Sequence, residues 1–283
     1  MLGHLREQHL MAKILVTGAA GRLGSIVART VHNNGHDVLA TDVVEAEGLP
    51  CAFQQVDLVD HEATRELLTG TDVVIHIGNL AGIGRMPPQV VFSRNVTMNI
   101  NVFQGAAEQG VGRIVFASTL QLIGSWPDER TVVKPARPPI FPLSGSTEPD
   151  PSNLYALSKT ISERTLQYFA DRCGLTAVAL RFPLLHHDDN PHLVGSGTED
   201  ATAKFEGFTS LTYREAADLC LATAERQLDG YHVFMPGSSR RHADLKLPEL
   251  IAAYYPGLDP SIPDLIDNTP IADATGWQPD AFH

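Results

Sequence analysis

The sequence predicts a doubly wound α/β fold, a parallel sheet covered by helices on both faces, with a small C-terminal lobe. Three observations predict it. Short apolar, β-branched runs alternate with helical stretches long enough to serve as parallel crossovers. These runs are continuous rather than alternating, as in strands buried on both faces. The first of them leads directly into a glycine-rich turn and a helix.

Strands are expected at Lys13–Thr17, Asp37–Thr41, Cys51–Val56, Asp72–Ile77, Arg113–Ala117 and Leu175–Arg181. The helices between them are expected at Arg22–Asn33, His61–Leu68, Pro88–Gln109 and Ser152–Cys173. A βαβαβ unit used twice leaves few topologies once crossovers are right-handed. The stretch Ser125–Ser152 breaks the rhythm, because its seven prolines exclude long regular structure. It reads either as a cover over a site or as a surface insertion, and its Trp126 and Phe141 either stack on substrate or anchor the loop. Beyond Arg181 the pattern loosens into a loop over Phe182–Phe208, a helix near Tyr213–Arg226, a strand at Tyr231–Met235 and a helix at Leu247–Ala253.

Composition narrows the function classes. Apolar residues make up 43% of the 283 and charged residues 19%, a balance that fills a core. The net charge of −12, with no basic run, argues against nucleic acid as a partner. Cys51, Cys173 and Cys220 are odd in number and widely spaced, which suggests neither a disulfide framework nor a zinc knuckle. A reducing, cytoplasmic setting is expected, without a membrane span or signal peptide. Met11-Ala12-Lys13 looks like a natural start, so residues 1–11 read as an extension.

Thr17-Gly18-Ala19-Ala20-Gly21-Arg22-Leu23-Gly24 links the first strand to the first helix. Gly18 permits a tight turn, Gly21 a close approach of backbone to pyrophosphate, and Gly24 close helix–strand packing. The helix N-terminus offers free N–H groups to an anion, which Arg22 could also meet. Asp42 ends the second strand, placed to accept hydrogen bonds from both ribose hydroxyls and to repel a 2′-phosphate. NAD is therefore expected over NADP. Asp57-Leu58 closes the third strand, where it reads as an adenine contact or a turn.

Tyr155 and Lys159 stand four apart on one helical face. An ammonium beside a phenol, together with a nicotinamide cation, should lower its pKa and make it an acid/base for a substrate hydroxyl. The hydroxyls of Ser118 and Thr119 emerge at the carboxyl edge of the sheet, where open α/β folds bind ligands. His186-His187-Asp188-Asp189 with His192 reads as substrate loop rather than metal site, since adjacent histidines diverge, and no metal is expected.

Together these residues resemble an extended short-chain dehydrogenase/reductase of the NAD-dependent epimerase/dehydratase family, a Rossmann fold. The resemblance rests on residues 17–24, Asp42, Asp57-Leu58, Asn95-Val96, Phe116–Gly124, Tyr155–Lys159, Leu180-Arg181-Phe182 and Gly276-Trp277-Gln278-Pro279. It implies Thr119, Tyr155, Lys159 and Asn95 as the catalytic set, with Lys159 on the nicotinamide ribose. It implies Ser118 and Phe182-Pro183 beside the nicotinamide, and Asn79-Leu80-Ala81 as the loop passing the cofactor. Gln121 and Arg181 become substrate candidates, Arg181 either as a carboxylate clamp or as a structural ion-pair partner. Leu120-Gln121 stand where dehydratases carry Asp-Glu, so dehydration is not expected, and Ile123 replaces a frequent tyrosine. The short C-terminal lobe is similar to that of compact members such as uronate dehydrogenases.

The expected organisation is therefore an NAD-binding domain over 12–182 and a small substrate lobe over 183–283, interleaved with the sheet. The expected function is NAD-dependent hydride transfer with a sugar-like or small polar hydroxyl or carbonyl. A nucleotide-sugar 4-epimerase with tightly held NAD is the second reading, and a catalytically silent dinucleotide sensor the third. A homodimer is expected from the resemblance, through the helices at Pro88–Gln109 and Ser152–Cys173.

Overall fold

The computed structural model describes residues 11–81, 86–125, 136–190, 193–195 and 201–280. The extension before residue 11, Trp126 and His192 lie outside these. The order opens with β1 (Lys13–Thr17), α1 (Arg22–Asn33), β2 (Asp37–Asp42), β3 (Ala52–Gln55), α2 (His61–Leu67) and β4 (Val73–His76). It continues with α3 (Pro88–Glu108), β5 (Arg113–Thr119), a 3-10 turn (Leu120–Ile123), α4 (Leu154–Cys173) and β6 (Thr176–Phe182). Then come β7 (Leu184–His186), α5 (Ala201–Phe205), β8 (Ser210–Thr212), α6 (Tyr213–Glu225), β9 (Tyr231–Phe234), α7 (Leu247–Tyr254) and α8 (Thr269–Thr275).

Seven strands form one parallel sheet in the order β3-β2-β1-β4-β5-β6-β9. Side chains alternate across it. Ile14 and Val16 face α1 and α6 with Val27, Val31 and Leu219, whereas Leu15 and Val74 face α3 and α4 with Phe103 and Leu166. This is the expected doubly wound architecture, with one departure. No helix joins β2 to β3, because Gly48 and Pro50 break the short connection.

The caps explain the helix boundaries. Asn153 accepts the Ala156 amide at 2.7 Å, so α4 starts two residues later than the sequence pattern suggested. Thr212 and Glu215 form a capping box on α6. α1 differs: Gly21 precedes it with extended backbone and no side-chain cap.

The segment after Phe182 divides between layers. β9 pairs with β6 as the last strand of the sheet, and α6 packs beside α1. β7 and β8 form a separate two-stranded parallel pair, and α7 encloses its own small core of Phe208, Leu250 and Leu265. The stretch Phe182–Phe208, expected as a loop, contains β7 and α5. Three- and five-residue elements are too short for periodicity to reveal.

The described part of the proline-rich insertion is stapled to this frame. Leu143 exchanges backbone hydrogen bonds with Leu265 and Asp267. A Cβ on Gly145 would stand 2.0 Å from the Val233 carbonyl oxygen. Phe141 packs edge-on against Tyr255 at 4.8 Å, so it anchors the loop.

Candidate functional site

A cleft of about 770 Å³ opens at the carboxyl ends of β1, β2, β4, β5 and β6. One end is built by the glycine-rich turn. Gly18 adopts φ +73°, and a Cβ there would meet the Gly78 amide nitrogen at 2.8 Å. A Cβ on Gly24 would stand 2.0 Å from the Gly18 carbonyl oxygen, so only glycine lets α1 begin this close to β1. Gly18, Gly21, Arg22, Leu23 and Gly24 all line the cleft, and the uncapped first turn of α1 borders it. Glycine cradle and open helix end together suit a pyrophosphate.

Asp42, Asp57 and Leu58 line the next stretch. The Asp42 carboxylate accepts the Ala20 amide at 3.0 Å and the Val43 amide at 2.7 Å, which ties the end of β2 to the glycine turn. Asp57 is gripped by both Arg94 contacts, at 3.1 and 2.8 Å. Burial opposes its charge, but the Arg94 hydrogen bonds, the Val59 amide and the Arg94 charge hold its carboxyl below the usual range.

The other end holds the chemistry. Thr119 closes β5 opposite Phe182, and its hydroxyl lies near enough to the Tyr155 phenol to lower its pKa. Ser118, Thr119, Gln121, Tyr155, Lys159 and Phe182 all line the cleft here. Lys159 lies over the Phe116 ring, donates to the Ala117 carbonyl at 2.6 Å and stands 6.0 Å from the Tyr155 ring centroid. Burial pushes the Lys159 ammonium down to about 7, against the favourable charge of Glu163. Burial likewise pushes the phenol up to about 12, only partly relieved by Thr119. The sequence expectation was the reverse, a phenol lowered by its lysine. That expectation counted a nicotinamide cation as well; in the chain alone desolvation sets the direction, and the lysine is engaged by a carbonyl.

Two expected residues stand elsewhere. Arg181 does not line the cleft. Its guanidinium is 5% exposed and fully engaged, by Glu163 at 2.8 Å and by the carbonyls of Gly145 and Thr147 at 3.2 and 2.7 Å. Of its two expected readings the contacts favour the structural one over the substrate clamp: it is the partner of Glu163 and of the insertion. Ser118 lines the cleft, but its hydroxyl donates to Glu163 at 2.6 Å and so belongs to the same buried pair. Asn95, fully buried, clamps the loop after β4: it accepts the Leu80 amide at 2.8 Å and donates to the Leu80 carbonyl at 3.1 Å. It acts by positioning.

Asn79 belongs to a buried polar chain under the cleft. The Thr17 hydroxyl oxygen accepts the amides of Ile77 and Gly78, so its own proton faces His76 Nδ1 at 2.7 Å. The His76 Nε2–H then donates to Asn99 Oδ1 at 2.8 Å, and the Asn99 amide donates to Asn79 and to Ser162. Every group is satisfied only if the imidazole is neutral, and burial holds it there, down to about 3. Between that value and an unfolded value near 6.5, only the unfolded chain takes up a proton, so stability rises with pH. Acidifying from pH 7 to pH 5 should cost about 2 kcal/mol through this group. Urea unfolding at both pH values checks this, with the component absent in His76→Gln.

Arg94, Tyr213 and Glu206 also line the cleft, and no motif announces them. Arg94 precedes the noted Asn95 but is identified only by its contact with Asp57. His186 bonds the His187 carbonyl, His187 lies against Tyr213, and Asp188 pairs with Arg214. Among the described residues no three potential metal ligands converge.

The site's order along the chain has a counterpart in known proteins. Residues 14–187 match the model of the NAD dependent epimerase/dehydratase family. The chain belongs to this family. A uronate dehydrogenase from Pseudomonas syringae pv. tomato is 27% identical over 172 residues, which cover 60% of this chain and 58% of that protein. The chain thus spans about three fifths of the length of the uronate dehydrogenases it matches. An NAD-dependent glucose-6-phosphate dehydrogenase from Haloferax volcanii is 26% identical over 256 residues, covering 86% of this chain and 92% of that one. In fold, the chain resembles the crystal structure of a UDP-glucose 4-epimerase from Thermotoga maritima with UDP-glucose. The TM-score is 0.70 at 21% identity, with 95% of this chain and 94% of that chain covered. No described helix is long and apolar enough to cross a membrane.

Proposed function

We propose that this chain is an NAD-dependent oxidoreductase acting on a hydroxyl of a sugar-like or small polar substrate, or on the corresponding carbonyl. The observation that carries the reading is one continuous cleft, running from a glycine cradle at a helix N-terminus to the Thr119–Tyr155 pair. The dinucleotide, when bound, supplies the hydride acceptor for oxidation and the donor for reduction. The chain does the rest. Gly18, Gly21 and the first turn of α1 hold the pyrophosphate, Asp42 the ribose hydroxyls, and Asp57 with Leu58 the adenine end. Asn79 and Phe182 border the nicotinamide end, and Lys159 is placed for its ribose. Thr119 holds the substrate oxygen, and Tyr155 exchanges a proton with it. As a phenol near 12, Tyr155 is set to give a proton to a carbonyl. To take one from a hydroxyl it must ionise, which positive charge at Lys159 favours.

NADH absorbance tests the reading. Net NADH formed from a sugar panel and NAD supports it, and conversion without net NADH indicates the 4-epimerase instead. Dinucleotide binding with no turnover at all, unaltered by Tyr155→Phe, points to a sensor. Asp42→Ala should narrow the preference for NAD over NADP about tenfold, read as the ratio of kcat/KM values, by removing a like charge from the 2′-phosphate position.

We assign dinucleotide binding to 12–182 and substrate choice mainly to 183–283. Three free cysteines suit a reducing, cytoplasmic setting. A homodimer through α3 and α4 would cover Ile100 and Tyr168, which are exposed on them.

A further inference from the structure

We propose that Glu206 is the residue that selects the substrate, accepting hydrogen bonds from a neutral, polyhydroxylated sugar and turning away sugar acids and sugar phosphates. The inference rests on the oxidoreductase reading above and names its substrate class.

Glu206 is 3% exposed, yet it lines the same cleft as Gln121, Thr119 and Tyr155. Its carboxylate is held in place: Ser125 Oγ donates to Oε1 at 2.6 Å, and Arg241 Nη1 stands 3.5 Å from Oε2. Arg241 does not itself line the cleft, so of this ion pair it is the acid that borders the substrate end.

The backbone that carries Glu206 is strained to do so. Gly207 and Phe208 follow it in the left-handed region, at φ +65° and +52°. Glycine takes that conformation freely, but for phenylalanine it is unfavourable. It persists because Phe208 is 1% exposed and packed against Tyr254 at 4.9 Å and His242 at 5.5 Å. A Cβ on Gly207 would come 2.9 Å from the Phe141 ring. Strain held by its surroundings marks a residue placed for a purpose.

The chemistry follows from what these groups do. An ionised carboxylate only accepts hydrogen bonds. Gln121 Oε1 is buried without a partner, a second acceptor at the same end. Two acceptors call for a ligand rich in O–H donors. A carboxylate or phosphate on the substrate would meet like charge where water screens little. Among the described cleft residues the cations are Arg22, Arg94 and Lys159. Arg22 opens α1 at the glycine end, Arg94 is held by Asp57 and Lys159 by the Ala117 carbonyl.

D-Galactose and D-galacturonate differ only in whether the last carbon is a hydroxymethyl or a carboxylate, so they isolate the effect. With NAD, the wild-type protein should favour galactose over galacturonate by about tenfold or more in kcat/KM. Glu206→Gln should erase most of that preference, chiefly by raising KM for galactose. Ser125→Ala keeps the Glu206–Arg241 pair and should move the ratio the same way by a smaller factor, which guards against a Glu206→Gln protein that fails to fold. A wild-type preference for galacturonate, or a preference unchanged in both variants, overturns the proposal. If neither sugar yields NADH, the oxidoreductase reading is left to the wider panel above, and calorimetric titration of the NAD-loaded protein with each sugar decides on Glu206 alone. Tighter binding of galactose supports the assignment; equal binding, tighter galacturonate or no binding of either overturns it.

Discussion

Tyr155→Phe is expected to lower kcat by roughly 10²–10⁴-fold, with dinucleotide affinity held within about threefold of wild type. Phenylalanine keeps the ring and its packing but deletes the hydroxyl that lies near Thr119. The loss should therefore fall on the proton-transfer step, while the glycine cradle at the far end of the cleft is untouched. Initial rates measured beside NADH fluorescence titration separate the two. A kcat close to wild type would mean that the phenol borders the reaction without taking part in it.

Glu163→Ala carries the largest expected loss of stability, about 3–5 kcal/mol. Glu163 and Arg181 are each 5% exposed, and the Ser118 hydroxyl and two insertion carbonyls depend on the pair. Removing the acid strands a guanidinium where water cannot reach it. Urea unfolding at neutral pH measures the loss. The protein that remains folded should show no selective defect toward acidic sugars, since Arg181 is committed to the frame. A loss below about 1 kcal/mol would place the pair among ordinary surface ion pairs and reopen a substrate role for Arg181.

What the sequence revealed and what it hid follow a physical division. The glycine turn, Asp42 and the Tyr155–Lys159 spacing are short-range patterns whose backbone reasons are local. Gly18 needs a positive φ, and a Cβ at Gly24 would collide with the Gly18 carbonyl that the turn itself brings close, so the motif states its own geometry. Arg181 stood in a recognisable Leu-Arg-Phe run, but only tertiary packing decides which way its side chain points. β6 carries it to Glu163 on α4 rather than into the cleft. Glu206 was hidden for a related reason: a five-residue helix and a strained turn deliver it, and neither has a periodic signature. The sign of the Tyr155 shift was also beyond reach, because spacing shows which charge is near but not how much water burial removes.

The placement of β9 has a consequence for how the chain matures. Its hydrogen-bonding partner β6 ends at Phe182, but Tyr231–Phe234 emerges from the ribosome only after the intervening β7–α6 segment. During that interval an apolar strand offers open backbone donors and acceptors along one side, the kind of template on which nascent chains misassemble. Slow translation or scarce holdase activity while residues 183–230 are being made should therefore lower the yield of native protein, even though β9 pairs with Ala177–Leu180 of that flank in the finished molecule.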